Sequence, residues 1–142
     1  MQTEIKLIKG DKHIDERGVL QFINDFDLSN IRRIYVIEPF CTELVRGWQG
    51  HKTEWKYFFV THGSFTIGLV KVDDWNNPSD NLIPVFYNLE SSNPSVLVVP
   101  GGYANCIKSN QIGSKLMVFS SSTLEDAKGD EFKYEINQWS FH

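Results

Sequence analysis

Cysteine is scarce in this chain. Cys41 and Cys106 are the two present, and no Cys-x-x-Cys spacing occurs. That excludes a disulfide framework and a thiolate zinc cluster, and it suits two free thiols in a reducing cytosol. Long hydrophobic runs are missing as well. The most apolar stretches, 57–60 and 96–99, fall far short of the roughly 20 residues a membrane-spanning helix requires. The opening MQTEIKLIKGDK scatters its charges and holds no apolar centre, so neither a signal peptide nor an anchor is expected and the predicted location is the cytoplasm. Charge of one sign does not dominate. A net charge of −4 predicts no general attraction to nucleic acid or membrane, although a local basic pocket for a phosphate is compatible with it. Linkers, internal repeats, low-complexity tracts and long helical apolar stripes are all absent, so residues 1–142 read as one domain.

Short β-type runs fill the chain instead. They are expected at 4–8, 19–23, 32–38, 56–62, 65–72, 83–89, 96–99 and 115–120. In Phe65, Ile67 and Leu69 the apolar residues recur at every second position, the mark of a strand with one buried face. Turn formers divide the runs: Asp-Glu-Arg-Gly at 15–18, His-Gly-Ser at 62–64, Asn-Asn-Pro-Ser-Asp at 76–80 and Pro-Gly-Gly at 100–102. One short helix or turn is expected at 122–129, with Leu124 and Ala127 inward. Many short strands at this spacing predict an all-β sandwich or barrel. The aromatic content of 13% supplies core filler and candidate pocket walls.

Two clusters concentrate the chemistry. The first is Arg46-Gly47-Trp48-Gln49-Gly50-His51-Lys52-Thr53-Glu54-Trp55-Lys56, just ahead of a strong strand. In extended backbone alternate residues share a face, which aligns Gln49 with His51. A solvated hairpin edge would carry such charges equally well. The second cluster, Val98-Val99-Pro100-Gly101-Gly102-Tyr103-Ala104-Asn105-Cys106-Ile107-Lys108, reads as a tight turn returning the chain to a sheet. His13, His62 and His142 read as turn, loop or tail residues, and Trp75 and Trp139 as packing.

Together these clusters resemble the two signature motifs of the cupin superfamily. Gly47, Gln49-Gly50-His51, Glu54 and Gly63 align with the first motif, and Pro100, Gly102 and Asn105 with the second. The resemblance implies a cupin-type jelly-roll (double-stranded β-helix) barrel in a single domain. Metal-binding cupins use imidazoles where this chain has Gln49 and Asn105. A neutral amide is a weak ligand for a transition metal, and His51 with Glu54 leaves too few donors, so no metal and no cofactor are expected.

Asp15-Glu16-Arg17-Gly18-Val19-Leu20-Gln21-Phe22 is similar to the opening of the dTDP-4-dehydrorhamnose 3,5-epimerases. Arg46-Gly47-Trp48-Gln49, Glu54-Trp55-Lys56, Gly63 and Pro100-Gly101-Gly102-Tyr103-Ala104-Asn105 follow that family's spacing, with Glu54 where the family has Gln. The middle of the chain resembles still more closely the dTDP-4-keto-6-deoxyhexose 3,4-ketoisomerases of the WxcM-like type. The matching segments are Arg46 to Lys52, His62-Gly63-Ser64-Phe65, Arg33-Ile34-Tyr35-Val36-Ile37 and Asp130-Glu131-Phe132-Lys133-Tyr134. Two departures stand out: Gln49 replaces the first family histidine, and Ser120-Ser121-Ser122-Thr123 stands where the epimerases carry a catalytic tyrosine.

The resemblance implies an epimerase or ketoisomerase acting on a nucleotide-linked, dTDP-type 4-keto-6-deoxyhexose by proton transfer in deoxysugar or polysaccharide biosynthesis. A binding cupin without catalysis is the alternative. His51 is the expected proton shuttle, because an imidazole titrates near neutrality. Tyr35 and Lys56 complete the expected catalytic group. Arg33, Arg46, Gln49, Trp48, Trp55, Tyr103 and Asn105 are the expected substrate contacts: guanidinium groups for the diphosphate, aromatic rings for the base or sugar, amides for hydroxyls. The expected partners are the nucleotide sugar and a second copy of the chain in a homodimer, with no nucleic acid and no membrane.

Overall fold

The computed structural model describes residues 4–141. Alternating apolar residues dictate most of the strands. They are β1 (Lys6–Lys9), β2 (Asp11–Asp15), β3 (Gly18–Phe22), β4 (Arg33–Ile37), β5 (Arg46–His51), β6 (Lys56–His62), β7 (Ser64–Lys71), β8 (Val85–Glu90), β9 (Ser95–Val99), β10 (Tyr103–Ser109), β11 (Lys115–Ser120) and β12 (Phe132–Lys133). One turn of helix, α1 (Leu124–Ala127), is capped by Thr123, whose hydroxyl accepts from the Asp126 amide.

Two five-stranded sheets form, in the orders β1-β9-β6-β11-β4 and β12-β5-β10-β7-β8, and β2 and β3 make a separate hairpin. All pairings are antiparallel. The facing surfaces enclose a core of Phe58, Val60, Phe65, Ile67, Leu69, Leu89, Leu97, Val99, Ile107, Leu116 and Val118. Phe65, Ile67 and Leu69 are on that inner face, as their spacing predicts. This is the jelly-roll sandwich expected of the sequence.

Both outer faces are covered too. Residues of the 23–31 segment pack over Tyr57, Val96 and Val98 on the first sheet. The C-terminal segment packs Trp139 and Phe141 over Trp48, Val70 and Cys106 on the second. Trp75 and Trp139 are therefore packing residues, as expected.

The strands 56–62 and 115–120 match their predicted bounds. β2, β5, β10 and β12 were not among the predicted runs. Their polar or glycine-rich sequences lack a clear apolar alternation, and pairing with neighbours makes them strands. Leu124, expected inward, is exposed, while Ala127 is buried. A single helical turn can bury one side only. His13 and His62 are exposed, and His142 lies outside the described residues.

The predicted Pro-Gly-Gly turn feeds β10. A side chain at Gly101 would meet the carbonyl oxygens of Lys52 and Thr53 at 2.5 and 2.8 Å, so only glycine lets this turn sit against the 52–53 bend. Gly63, at φ +81°, turns β6 into β7 with Ser114 packed against it.

Candidate active site

Strand alternation brings one end of the inner face its polar character. On β5, Gln49 and His51 stand opposite Asn105 and Tyr103 of β10, and directly opposed residues share a face. Tyr103 and Tyr35 pack against the inner core, which fixes that face as the interior. Lys56 opens β6 two residues before the inner-facing Phe58, so it points the same way. Arg33 opens β4 two residues before Tyr35. The far end of the same interior is lined by Val60, Phe65, Ile107 and Leu116 and is apolar.

Glu54 is the hub of the polar end. Its side chain is 0% exposed, and its Oε2 lies 2.8 Å from the Lys56 ammonium and 3.0 Å from the Arg33 guanidinium. The Ser120 hydroxyl donates to the same oxygen. Burial pushes the Glu54 carboxyl up, but hydrogen bonds from Lys56 and Ser120 and the Lys56 charge outweigh it and hold the group below the usual carboxylate range. Lys56 also donates to the Tyr35 hydroxyl oxygen at 2.8 Å. That oxygen is then an acceptor, which leaves the phenol's own proton free to be donated elsewhere. Lys56 Nζ and Arg33 Cζ lie 5.0 and 5.2 Å from the Tyr35 ring centroid, within cation–π range.

His51 is buried, and its Nδ1 lies 2.8 Å from the Asp130 backbone carbonyl. A carbonyl can only accept, so Nδ1 carries the hydrogen and Nε2 holds the lone pair of the neutral ring. Burial lowers the His51 pKa, and the Lys56 charge adds to the effect against the opposing pull of Glu54 and Asp130. At neutral pH the ring is an uncharged base.

Asp130 also builds the bend that carries Glu54. Its carboxylate accepts from the backbone amides of Lys52, Thr53 and Glu54 at 2.7, 2.9 and 2.8 Å. One residue thus positions His51 through its carbonyl and Glu54 through its side chain.

His51, Glu54 and Asp130 bring three possible ligand atoms within 4.8 Å of one another. Most of these donors are already committed, Glu54 Oε1 being the exception. Asp130 takes three amides, His51 Nδ1 bonds a carbonyl, and Glu54 holds two cationic groups. A divalent cation at the remaining Glu54 Oε1 would sit on a carboxylate already shared with the Lys56 ammonium and the Arg33 guanidinium, whose charges oppose it. The donor set fits an ion-pair network and not a divalent cation.

Of the sequence-predicted residues, the structure gathers His51, Lys56, Tyr35 and Arg33 around Glu54. Gln49, Tyr103 and Asn105 share the inner face beside them. Trp48 and Trp55 are not brought there. Trp48 alternates with Gln49 and so faces outward, where it is buried against Trp139 and Phe141 and donates to the carbonyls of Ile136 and Trp139. Trp55 alternates with Lys56 and stacks on Tyr57 of the opposite outer face. For both, the strand period that points the polar neighbour inward turns the indole out. Arg46 is exposed at the other end of β5 from His51. Sequence reasoning did not assign Glu54, Ser120 or Asp130 to the site. The Glu-x-Lys spacing at 54–56 was a usable signal for the first. Nothing local marks the other two.

Comparisons with known proteins bear on the fold and the family. The family described as WxcM-like, C-terminal (FdtA) matches residues 3–136. Among solved structures, a mutant of the 3,4-ketoisomerase QdtA from Thermoanaerobacterium thermosaccharolyticum, in complex with TDP-4-keto-6-deoxyglucose, is 22% identical. The match covers 94% of this chain and 90% of that one, with a TM-score of 0.70. A 3,4-ketoisomerase from Helicobacter canadensis is 22% identical over 96% and 90%, with a TM-score of 0.66. A double mutant of ChmJ, a 3'-monoepimerase from Streptomyces bikiniensis, in complex with dTDP, is 14% identical over 93% and 69%, with a TM-score of 0.76. No curated protein sequence matches the chain. The structural likenesses establish the cupin-type jelly roll, and the family match across nearly all of the sequence makes this chain a member of the WxcM-like, C-terminal family.

Proposed function

We propose that this protein is a metal-independent isomerase that epimerises or ketoisomerises a nucleotide-linked 4-keto-6-deoxyhexose by proton transfer. The observation that carries the reading is the state of His51. It is a buried neutral ring, its Nδ1 hydrogen is engaged by a backbone carbonyl, its Nε2 is left basic, and the charge of Lys56, which bonds Tyr35, acts on the ring. Tuning a base toward its neutral form is what abstraction of a proton next to a ketone requires.

In the proposed step the C–H bond beside the carbonyl breaks and its proton passes to His51 Nε2. The electron pair flows into an enolate. Lys56, Arg33 and the free Tyr35 proton supply hydrogen-bond donors and positive charge for that oxygen. Return of the proton to the same carbon on the other face gives an epimer. Return to the neighbouring carbon, with a proton exchanged between the two oxygens, moves the ketone. Gln49, Asn105 and Tyr103 offer amide and hydroxyl contacts to the sugar.

The family match, and the TDP-4-keto-6-deoxyglucose and dTDP held by similar structures, support a dTDP-linked substrate. We place the enzyme in the cytoplasm, in deoxysugar or polysaccharide biosynthesis, as one domain that pairs with a second copy. Exposed Ile14, Val19 and Leu20 on the β2–β3 hairpin, and Ile34 and Val36 on the edge strand β4, favour that pairing.

The test is His51→Asn with dTDP-4-keto-6-deoxyglucose in deuterated water. The native chain incorporates deuterium into the sugar and the variant does not. Full exchange by the variant would remove His51 from the reaction. Gln49 in place of a histidine, and Ser120-Ser121-Ser122-Thr123 where the epimerases carry a tyrosine, favour a second reading, a binding cupin. That reading predicts tight dTDP-sugar binding with no exchange by the native chain.

A further inference from the structure

Glu54 has no place in the step just described, yet it is the most deeply buried charge in the site. Oε2 is saturated by Lys56, Arg33 and Ser120. Oε1 is buried without a hydrogen-bond partner among the described residues and lies 3.4 Å from His51 Nδ1. A buried carboxylate oxygen left unpaired costs free energy unless another state of the site uses it. The state available is the protonated ring. When His51 takes a proton at Nε2, the imidazolium gains a positive charge against this oxygen, while Nδ1 keeps its bond to Asp130.

We propose that Glu54 is the positioning residue of the site. One carboxylate oxygen gathers the Lys56 ammonium and the Arg33 guanidinium, and the other stabilises the imidazolium of His51. The proposal rests on the proton-transfer reading for its role in turnover, but its electrostatic core belongs to the resting protein. The balance of charge supports it. The groups facing His51 are Lys56 from β6, Asp130 from the segment before β12, Tyr103 from β10 and Glu54 itself, with Arg33 of β4 reached through Glu54 and Tyr35 of β4 through Lys56. Without the Glu54 charge, the ring would face the Lys56 ammonium with only Asp130 as counterweight. The carboxylate lets a base tuned neutral by burial still accept a proton during the reaction.

The experiment follows the His51 ring by 15N NMR across pH in the full chain and in Glu54→Gln. Loss of the carboxylate shifts the ring's titration to lower pH, by roughly one unit or more for an opposite charge at this range. The same pair is compared in a Lys56→Met background, where no ammonium can alter its own protonation. That background also rescues the comparison if a buried lysine without its partner prevents Glu54→Gln from folding. In the exchange assay the acid limb moves to lower pH in step with the ring, and kcat falls roughly tenfold or more while KM changes little. A His51 titration unchanged by Glu54→Gln in both backgrounds overturns the proposal, whatever the exchange assay shows. A shifted titration with no exchange by the native chain upholds Glu54 and refutes the proton-transfer reading of the substrate.

Discussion

Asp130 offers a quantitative test of how the site is held. Replacing it with alanine removes the acceptor of three backbone amides, those of Lys52, Thr53 and Glu54. Hydrogen bonds to a charged group contribute about 1.5–3 kcal/mol each, and an amide left buried without a partner carries a comparable penalty. Lys52 and Thr53 are exposed, so water replaces most of what they lose. The Glu54 residue is buried and its amide is not so easily resolvated. Counting that bond in full and the other two at a few tenths each gives a loss of about 2–4 kcal/mol. Against a urea slope of about 1–3 kcal/mol per molar, the unfolding midpoint falls by roughly 1–4 M. Asp130→Asn keeps one carbonyl oxygen, which can still serve the two amides that share Oδ2, so it should lose about 1 kcal/mol or less. Urea denaturation followed by tryptophan fluorescence measures both. A loss below about 0.5 kcal/mol for alanine, or equal losses for the two variants, would refute the claim that this carboxylate builds the 51–54 bend.

Acid should weaken the fold in two stages. The His51 pKa is lower in the fold than its free value of 6.5, so the unfolded chain binds the extra proton. The contribution of the neutral ring is present above 6.5 and is lost as pH falls through its depressed folded value. Glu54, also depressed, contributes above 4.5 and loses that contribution at still lower pH. Urea midpoints should therefore drop from pH 7.5 to pH 5.5 and drop less in His51→Asn. Tyr35→Phe removes the oxygen that accepts from Lys56 and the proton offered to the substrate, and should slow deuterium exchange by roughly 10- to 1,000-fold with nucleotide binding retained. Burial pushes the Cys106 thiol up to about 12, so a thiol-specific reagent at pH 8 should leave Cys106 unmodified until denaturant is added.

The legible part of the site is the part written in short-range order. The alignment of Gln49 with His51 follows from the two-residue period of extended backbone, and the same period is enough to turn Trp48 and Trp55 outward. Assigning those indoles to the site rests on chemistry alone, as rings that suit a base or a sugar, and ignores the face on which the backbone sets them. Glu54 is visible as part of a motif but not as a hub, because its partners Arg33 and Ser120 come from β4 and β11 and meet it only when β6 and β11 pair. β5 and β10 escape detection because glycine and polar residues at 47, 49, 50, 105 and 108 interrupt their apolar pattern.

Pattern and composition therefore determined the class of fold, the position of most strands along the chain, the free thiols and the residue that can act as a base near neutrality. These are properties of neighbours in the chain, set by backbone period and side-chain chemistry. Tertiary structure decided the tautomer of His51, the charge that surrounds it and the anchoring of its bend. The tautomer and the anchoring depend on Asp130, which lies 79 residues from His51. Burial removes the water that would otherwise screen these charges. Burial then lets Lys56 act strongly on both His51 and Glu54, and packing adds Ser120 and Asp130 from far along the chain.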